Sequence, residues 1–542
     1  MRLSPSDPAL PPYAGRLRRL EADLETLRRR WPLEIDPERG RMILDRVAAE
    51  RGEPSPAWSD LTPPDQVDAW LLKIALDRLE AEVSRTAEDL RPAQEAIPAL
   101  GDLVELMRHR PQGEPLAPSE SARRLASLTT ELQAWRESAS PSNELRRNLL
   151  RVWSSLQKPL EEFRNHYLGY SPDQDFWIQQ PLSQLMEEIA ASQEFLVPAS
   201  ERDQLRWIGQ PLGEAELQRE ISLELLGQPL SALLELAERE WSWCRAEMDR
   251  CARDLGVDSW LEAVERVKHD HAPVGHQIEL VRELCQEAID YVREHDLVTL
   301  PDLAHLGWRL QRISPERQRE APFLLGGESV WVAVPTPEMP NELKRMVLRS
   351  NNRSFTRAVA HHELIPGHHL QGFFMRRCHA HRSPWATPFW IEGWTLSWEL
   401  LLWERGFARS AADRVGMLFW RSHRCARILF SLNFHLGQWT AEESVSFLVE
   451  QVGHEPSTAE AEVRRSFAGD YPPLYQAAYL LGGLQMHALR REYPGSLKEF
   501  HDAVLQQNAM PIALLRHLLM GIPISESEMP TWDWPELGAS RS

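Results

Sequence analysis

A cluster of histidine and glutamate residues in the second half of the chain could bind and use a metal ion. Residues 362–369 read HELIPGHH, in which His362 is followed directly by Glu363. Zinc proteases typically carry two histidine ligands on one helix, with a glutamate beside the first histidine that activates a water molecule. A lone His-Glu pair could merely cap a helix end, but several imidazoles around a Pro-Gly break are harder to explain structurally. We therefore predict that this segment binds Zn²⁺ and that Glu363 is the catalytic base.

The position of the second histidine departs from the common four-residue spacing. On an unbroken helix, at roughly 100° per residue, His368 would lie about 240° around the axis from His362 and could not share its metal ion. Pro366 and Gly367 change this expectation, because proline removes a helical hydrogen bond and clashes with the preceding turn. The resulting kink or loop can return His368 to the metal, and we predict it as the second ligand. His369 is the alternative, since seven residues are nearly in phase but about 10 Å apart along a straight axis.

A third ligand is expected from the tryptophan-rich segment 390–399, which reads WIEGWTLSWE. A carboxylate in such an apolar helix is costly unless it is paired or bound to a metal. Glu392 and Glu399 are seven residues apart and share a helical face, so one can bind zinc while the other orients a ligand histidine. We predict Glu392 as the ligand. Glu399 is then a supporting residue, an alternative ligand or an ordinary salt-bridge partner.

The composition of the 542-residue chain argues against several other classes of function. A net charge of −19 disfavours a nucleic-acid partner and docking on an anionic membrane, because both need clustered lysine and arginine. The sequence has no uninterrupted apolar run of about 18 residues, so no membrane span is expected. The five cysteines form no CxxC pair, and the first residues lack the apolar run of a secretory signal. We therefore expect reduced thiols and a cytoplasmic protein.

The elements that must position these residues are mostly helices. Apolar residues recur every three to four positions over residues 14–31 and 65–90, and the second pattern is closed by Arg91-Pro92. Further helical patterns cover residues 120–165, 214–267 and 276–295. After about residue 335 the sequence is again helical to about residue 520.

One short segment is typical of a β-strand. Residues 329–334 read SVWVAV, contain several β-branched side chains and end at Pro335. The strand could present an edge to an extended peptide, or it could belong to a small structural sheet. The chain is longer than one hydrophobic core usually supports. We predict a mainly α fold of two lobes, with a helical lobe over residues 1–310 and a zinc-binding lobe over residues 311–542 that holds a small β-sheet near the active-site helix.

Four motifs in the second half of the chain resemble, in the same order, those of the bacterial domain-of-unknown-function family 885. They are HELIPGHHLQ at 362–371, EGWTLSWE at 392–399, RILFSLNFH at 427–435 and PLYQAAYLLG at 473–482. The resemblance covers residues 240–500 by motif and the N-terminal helices more weakly. Members of that family look like gluzincin-type zinc peptidases, similar to helical oligopeptidases that cut inside a deep channel. The resemblance therefore implies a large, helical, metallopeptidase-like fold.

The last two motifs imply roles for further residues. Hydrolysis creates an oxyanion that needs a hydrogen-bond donor, and Tyr479 or His435 could supply it. The third motif departs from the family pattern, with Ser431 in place of an aspartate and Asn433 in place of a glycine. That aspartate is a candidate partner for His435, so its loss weakens the role of the histidine. Arg465 lies between these two motifs, and its guanidinium group could bind a substrate carboxylate or form a structural ion pair.

The sequence as a whole predicts a zinc-dependent hydrolase of the peptidase type. In this hypothesis His362, His368 and Glu392 bind Zn²⁺, and the substrate is a peptide or a small amide. One alternative is a metal-dependent amidase or esterase that acts on a non-peptide small molecule, since the missing aspartate and the tryptophans around 385–403 would reshape the pocket. A second alternative is a catalytically inactive helical binding protein. The complete His-Glu pair argues against it, because such a protein has no need of the base.

Overall fold

The computed structural model describes residues 10–110, 113–197, 209, 211–315, 317–319, 323–467 and 471–534. Helices dominate these residues, so the predicted mainly α class is confirmed. Contacts divide the chain into two compact units, one formed by residues 1–60 and 69–209 and the other by residues 61–68 and 210–542. None of the described helices combines the length and the apolar character that a membrane crossing requires.

The first unit is a set of helices with apolar faces. They are α1 (Pro12–Arg30), α2 (Pro37–Arg51), α3 (Pro63–Ala96, whose first residues belong to the second unit), α4 (Leu100–Met107), α5 (Pro118–Ser138), α6 (Asn143–Tyr167) and α7 (Pro172–Leu196). The pattern at 120–165 is divided between α5 and α6, because Ser142 caps a new helix by accepting a hydrogen bond from the backbone N–H of Leu145. The predicted stop at Arg91-Pro92 is wrong. Pro92 removes one hydrogen bond near the end of α3, and the helix continues for one more turn.

A large cluster of hydrophobic side chains lies in the core of the first unit. Some charged side chains, such as that of Glu50, are buried in this unit as well. Helix α6 contributes Trp153, Leu156, Leu160 and Phe163, which recur every three to four residues and are at most 2 % exposed. Burying a side chain of this size contributes roughly 1.5–3 kcal/mol to folding. The apolar stripe of each helix therefore determines which of its faces turns inward.

The second unit contains the remaining helices and a small sheet. Its helices are α8 (Glu214–Leu223), α9 (Leu230–Leu255), α10 (Trp260–Lys268), α11 (Gln277–Glu294), α12 (Asp302–Gly307), α13 (Asn341–Ser350), α14 (Arg353–Glu363), α15 (His368–Met375), α16 (Pro388–Glu404), α17 (Ala411–His435), α18 (Ala441–Phe447), α19 (Pro456–Phe467), α20 (Tyr475–Glu492), α21 (Leu497–Gln507) and α22 (Ile512–Met520). The pattern at 214–267 forms three helices rather than one, in part because Gly256 ends α9 in the left-handed conformation (φ 69°). The boundary between the units differs from the predicted one at residue 310, because α9 packs along α17 and α11 packs along α14.

The sheet consists of two short parallel strands, β1 (Leu310–Arg312) and β2 (Val330–Val332). Strand β2 is shorter than the predicted strand at 329–334. On the side away from β1, the N–H of Trp331 donates to the carbonyl oxygen of Leu325 at 2.8 Å, and its carbonyl oxygen accepts from the N–H of Leu325 at 3.0 Å. The exposed edge that a peptide would need at Trp331 is therefore already occupied.

Helices α16 and α20 cross in direct backbone contact. A Cβ atom placed on Gly393 would lie 2.7 Å from the carbonyl carbon of Gly482, and one on Gly482 would lie 2.5 Å from the carbonyl oxygen of Phe389. Only glycine at both positions permits this separation. The contact brings the glutamates of α16 close to the tyrosines of α20. Both helices contribute side chains to the candidate site.

Candidate active site

The helix that carries the His-Glu pair is interrupted between its two candidate ligands, as Pro366 and Gly367 predict. Helix α14 ends at Glu363, and α15 begins at His368. The backbone between them folds back so closely that a Cβ atom on Gly367 would lie 1.8 Å from the carbonyl oxygen of His362. A glycine is required at this position, and the interruption changes which face His368 presents.

The interruption brings the two histidines to one carboxylate. Nε2 of His362 lies 3.5 Å from Oε2 of Glu392, and Nε2 of His368 lies 3.4 Å from the same oxygen. One ligand atom from each of His362, Glu363 and His368 also lies within 4.8 Å of the others. Residues from three different helices thus meet at a single point.

The donor atoms fit a zinc ion. Four ligands at about 2.0–2.1 Å in tetrahedral geometry lie about 3.3 Å from one another, close to the separations of both nitrogens from Glu392. Oε2 of Glu392 is buried and has no hydrogen-bond partner among the described residues. Although burial opposes ionisation, His368 and His362 hold the pKa of Glu392 well below its usual range. A buried, unsatisfied and ionised carboxylate oxygen that faces two imidazoles is what a metal ligand requires.

Glu399 supports His362 from the side opposite Glu392. Nδ1–H of His362 donates to Oε1 of Glu399 at 2.7 Å, which leaves Nε2 free to present its lone pair. Arg424 donates from Nη2 to the same oxygen at 3.2 Å. Burial would raise the pKa of Glu399, but Arg424 and His362 lower it to about 2. Of the roles predicted for Glu399, the contacts therefore match that of a supporting residue.

His369 is directed away from this point. Its Nε2 lies 2.8 Å from the carbonyl oxygen of Ala304, and its Nδ1 lies 3.1 Å from the carbonyl oxygen of Gly327. Both ring nitrogens are therefore engaged by backbone oxygens. His368, and not His369, faces Glu392.

Glu363 lies beneath the loop that precedes β2. A Cβ atom on Gly326 would lie 2.5 Å from Oε2 of Glu363 and 2.6 Å from its carbonyl oxygen. The glycine lets the backbone approach the base closely, so one side of the carboxylate is covered. Its other side lines a cavity of about 360 Å³.

Two tyrosines on α20 complete the surroundings of Glu392, and the sequence pointed to only one of them. The hydroxyl of Tyr475 donates to Oε1 of Glu392 at 2.8 Å and lies 3.1 Å from the hydroxyl of Tyr479. The Tyr479 ring stacks on the ring of His362, with 6.2 Å between centroids. The missed residue, Tyr475, is four positions before Tyr479, a spacing that places both on one helical face. That spacing was the available signal.

Of the four arginines that line the cavity, three lie on α17 and α19. They are Arg424 and Arg427 on α17 and Arg465 on α19. The Cζ atoms of Arg424 and Arg427 lie 4.7 and 4.3 Å from the centre of the Tyr479 ring. Sequence reasoning singled out Arg465 but assigned no role to the two arginines of α17.

His435 does not join this group. It is the last residue of α17, eight positions after Arg427, which corresponds to about 12 Å along the helix axis. Its ring packs near that of Phe467, at 6.2 Å between centroids, and it is not among the residues that line the cavity. The predicted role of His435 as an oxyanion donor therefore has no support from its position.

The chain belongs to a family of helical bacterial proteins. The family model described as "Bacterial protein of unknown function (DUF885)" matches residues 13–519, which confirms the resemblance seen in the four motifs. No curated protein matches the sequence.

The chain is similar in fold to the solved structures of two bacterial proteins, among others. One is a "putative lipoprotein of unknown function" from Shewanella oneidensis, with a TM-score of 0.71 and 17% identity over 94% of this chain and 100% of that one. The other is a "putative lipoprotein" from Colwellia psychrerythraea, with a TM-score of 0.57 and 16% identity over 94% of this chain and 99% of that one. At these identities the likeness concerns the fold alone.

Proposed function

We propose that this protein is a zinc-dependent hydrolase that cleaves peptides. The observation that carries the proposal is the convergence of His362 and His368 on the unpartnered oxygen of Glu392, with Glu363 beside them. Two histidines, one glutamate and an adjacent second glutamate form the ligand and base set of a catalytic zinc site with an open position. A bound zinc ion would polarise the substrate carbonyl and lower the pKa of a water molecule.

The side chains around this point supply the remaining steps. Glu363 accepts a proton from the attacking water and returns it to the leaving amine. Glu399 fixes the orientation of the His362 ring through its hydrogen bond to Nδ1. Burial and the charge of Glu392 raise the pKa of Tyr479, so its hydroxyl stays protonated at neutral pH and can donate to the developing oxyanion.

The cavity favours small substrates. Its volume of about 360 Å³ lies near the lower end of the range for small-ligand sites. A short peptide fits this size better than a folded protein segment does. The same observation supports a second candidate function, a metal-dependent amidase that acts on a non-peptide small molecule.

The test pairs metal analysis with digestion of a mixed peptide library by the full-length protein. Wild type is compared with Glu363→Gln, and Glu342→Gln on the exposed first turn of α13 is the matched control. We expect one zinc ion per chain in all three proteins. Glu363→Gln keeps the shape of the side chain but removes the base. Its cleavage rate should therefore fall about 100- to 10,000-fold.

Each of the other outcomes would point elsewhere. Cleavage that survives Glu363→Gln would contradict the role of the base. Zinc binding with hydrolysis of small aryl amides, but of no peptide, would favour the amidase. Stoichiometric zinc with no hydrolysis of either would identify an inactive binding protein.

A further inference from the structure

The arginine wall of the cavity, formed by Arg424, Arg427 and Arg465, carries more positive charge than its partners neutralise. Arg427 donates from Nε to Oε1 of Glu462 at 2.6 Å, and Arg465 donates from Nη2 to Oε2 of the same residue at 3.0 Å. One carboxylate thus serves two guanidinium groups. Arg424 in turn shares Glu399 with His362. Buried charges are normally paired, so this excess calls for an additional anion.

Unused hydrogen-bond donors accompany the excess charge. Arg427 is 3 % exposed, yet its Nη1 has no hydrogen-bond partner among the described residues. The Nε atoms of Arg424 and Arg465 are also buried without a partner among those residues. A buried donor without an acceptor costs about 1–3 kcal/mol, and more when it is charged. All three side chains line the cavity, so a ligand there can reach this wall.

We propose that the arginine wall binds a carboxylate of the substrate, namely the free C-terminal carboxylate of a short peptide. This inference rests on the proposed peptidase function and specifies its substrate class. It assigns the protein to exopeptidases that act near the C-terminus of their substrates. Planar guanidinium groups bind a carboxylate through two parallel hydrogen bonds, which a single lysine charge cannot do.

The position of the wall fits this role. The ring of Tyr479 contacts both the guanidinium groups of Arg424 and Arg427 and the ring of His362. One aromatic ring thus contacts both the proposed carboxylate site and a proposed metal ligand. A peptide held by its terminal carboxylate at the wall would place a bond close to that terminus beside Glu363.

The first experiment measures binding without turnover. The full-length, zinc-loaded Glu363→Gln protein is titrated by calorimetry with three N-acetylated tripeptides. The first has a free C-terminal carboxylate, the second is its C-terminal amide, and the third is an amide whose last residue is glutamate. We expect the free acid to bind at least about tenfold more tightly than the amide, because it gains charge-assisted hydrogen bonds.

The second experiment tests the wall itself. In the same background, Arg465→Gln should remove the preference for the free acid, while Arg465→Lys should retain part of it because the charge remains. The matched control is Arg464→Gln, which changes the neighbouring arginine outside the cavity lining and should keep the full preference. Zinc content and circular dichroism report whether each variant folds. If the arginine variants do not fold, the comparison of the acid with the amide in the Glu363→Gln protein still tests the proposal, because that protein keeps all three arginines.

The outcomes separate this inference from the proposed function. Tight binding of the acid, lost in Arg465→Gln, supports the carboxylate site even if wild type cleaves no peptide, in which case the peptidase proposal fails alone. Binding of the glutamate-ending amide as tight as that of the free acid would overturn the assignment to the C-terminal carboxylate, and would point to an acidic side chain instead. Equal binding and equal wild-type cleavage of all three peptides would overturn the carboxylate site and leave the peptidase proposal standing.

Discussion

The hydrophobic core cluster of the first unit and the interior around the cavity are built from different side chains. In the first unit the core cluster consists of leucine, isoleucine, valine, alanine, methionine and aromatic residues, with Trp153 and Leu156 fully buried. Around the cavity, the charged groups of Glu392, Glu462 and Arg427 are at most 4 % exposed. Hydrocarbon burial favours folding directly, whereas buried charges at best offset their own desolvation.

The difference teaches that the two interiors serve separate purposes. The first contributes free energy of folding and can be changed without altering chemistry. The second is costly to bury, and in the proposed function its groups act on a ligand or a metal ion. Substitutions in the two regions should therefore affect different measurements.

The largest effect outside the catalytic base is expected in the core of the first unit. Leu156→Ala should lower the free energy of unfolding by about 2–5 kcal/mol, because it leaves a cavity among tightly packed helices. Denaturant titration followed by circular dichroism measures the change. Hydrolysis and zinc content per folded molecule should stay at the wild-type level. Ser154→Ala, on the exposed face of the same helix, should shift stability by less than about 0.5 kcal/mol. A loss of zinc in Leu156→Ala would contradict the separation.

A smaller effect is expected at Glu399, and on a different measurement. Glu399→Gln removes the charge that orients the His362 ring and should weaken zinc affinity about 10- to 100-fold. Competition with a chelator of known affinity measures this change. Glu404→Gln is the control, since Glu404 lies on the same helix and pairs with His487 and Arg490 instead. Unchanged zinc affinity in Glu399→Gln would mean that its contact with His362 is only structural.

The smallest effect is expected at Tyr475. Tyr475→Phe deletes one hydrogen bond to Glu392, so zinc affinity should fall by about 2- to 10-fold, corresponding to roughly 0.5–1.5 kcal/mol. The same chelator competition detects it, with Tyr493→Phe at the end of α20 as the control. A change no larger than that of the control would show that the tyrosine hydroxyl does not help to hold the carboxylate.

Local patterns in the sequence predicted the helical class, several of the helices and part of the candidate site. Apolar spacing located α1, α11 and the start of α3 to within a few residues, because a helical stripe follows from periodicity alone. The Pro-Gly pair predicted the break before His368. The glutamate pair on α16 was expected on one face, and its two carboxylates do approach the same histidine.

Local sequence patterns do not predict which residues of distant helices are in contact. The wrong stop of α3 at Pro92 arose because a proline near a helix end costs only one hydrogen bond. Tyr475 was missed because its partner Glu392 lies 83 positions earlier in the chain. His435 was selected from a motif, but whether it reaches the cavity depends on which turns of α17 face that cavity. The choice between His368 and His369 likewise depended on backbone geometry inside the break.

The glycine crossing of α16 and α20 also has an entropic consequence. Because Gly393 and Gly482 are in backbone contact, the spacing between Glu392 and Tyr475 is set by two main chains rather than by long, rotatable side chains. The carboxylate is thus held before any metal or substrate arrives, and little conformational freedom is left to lose on binding.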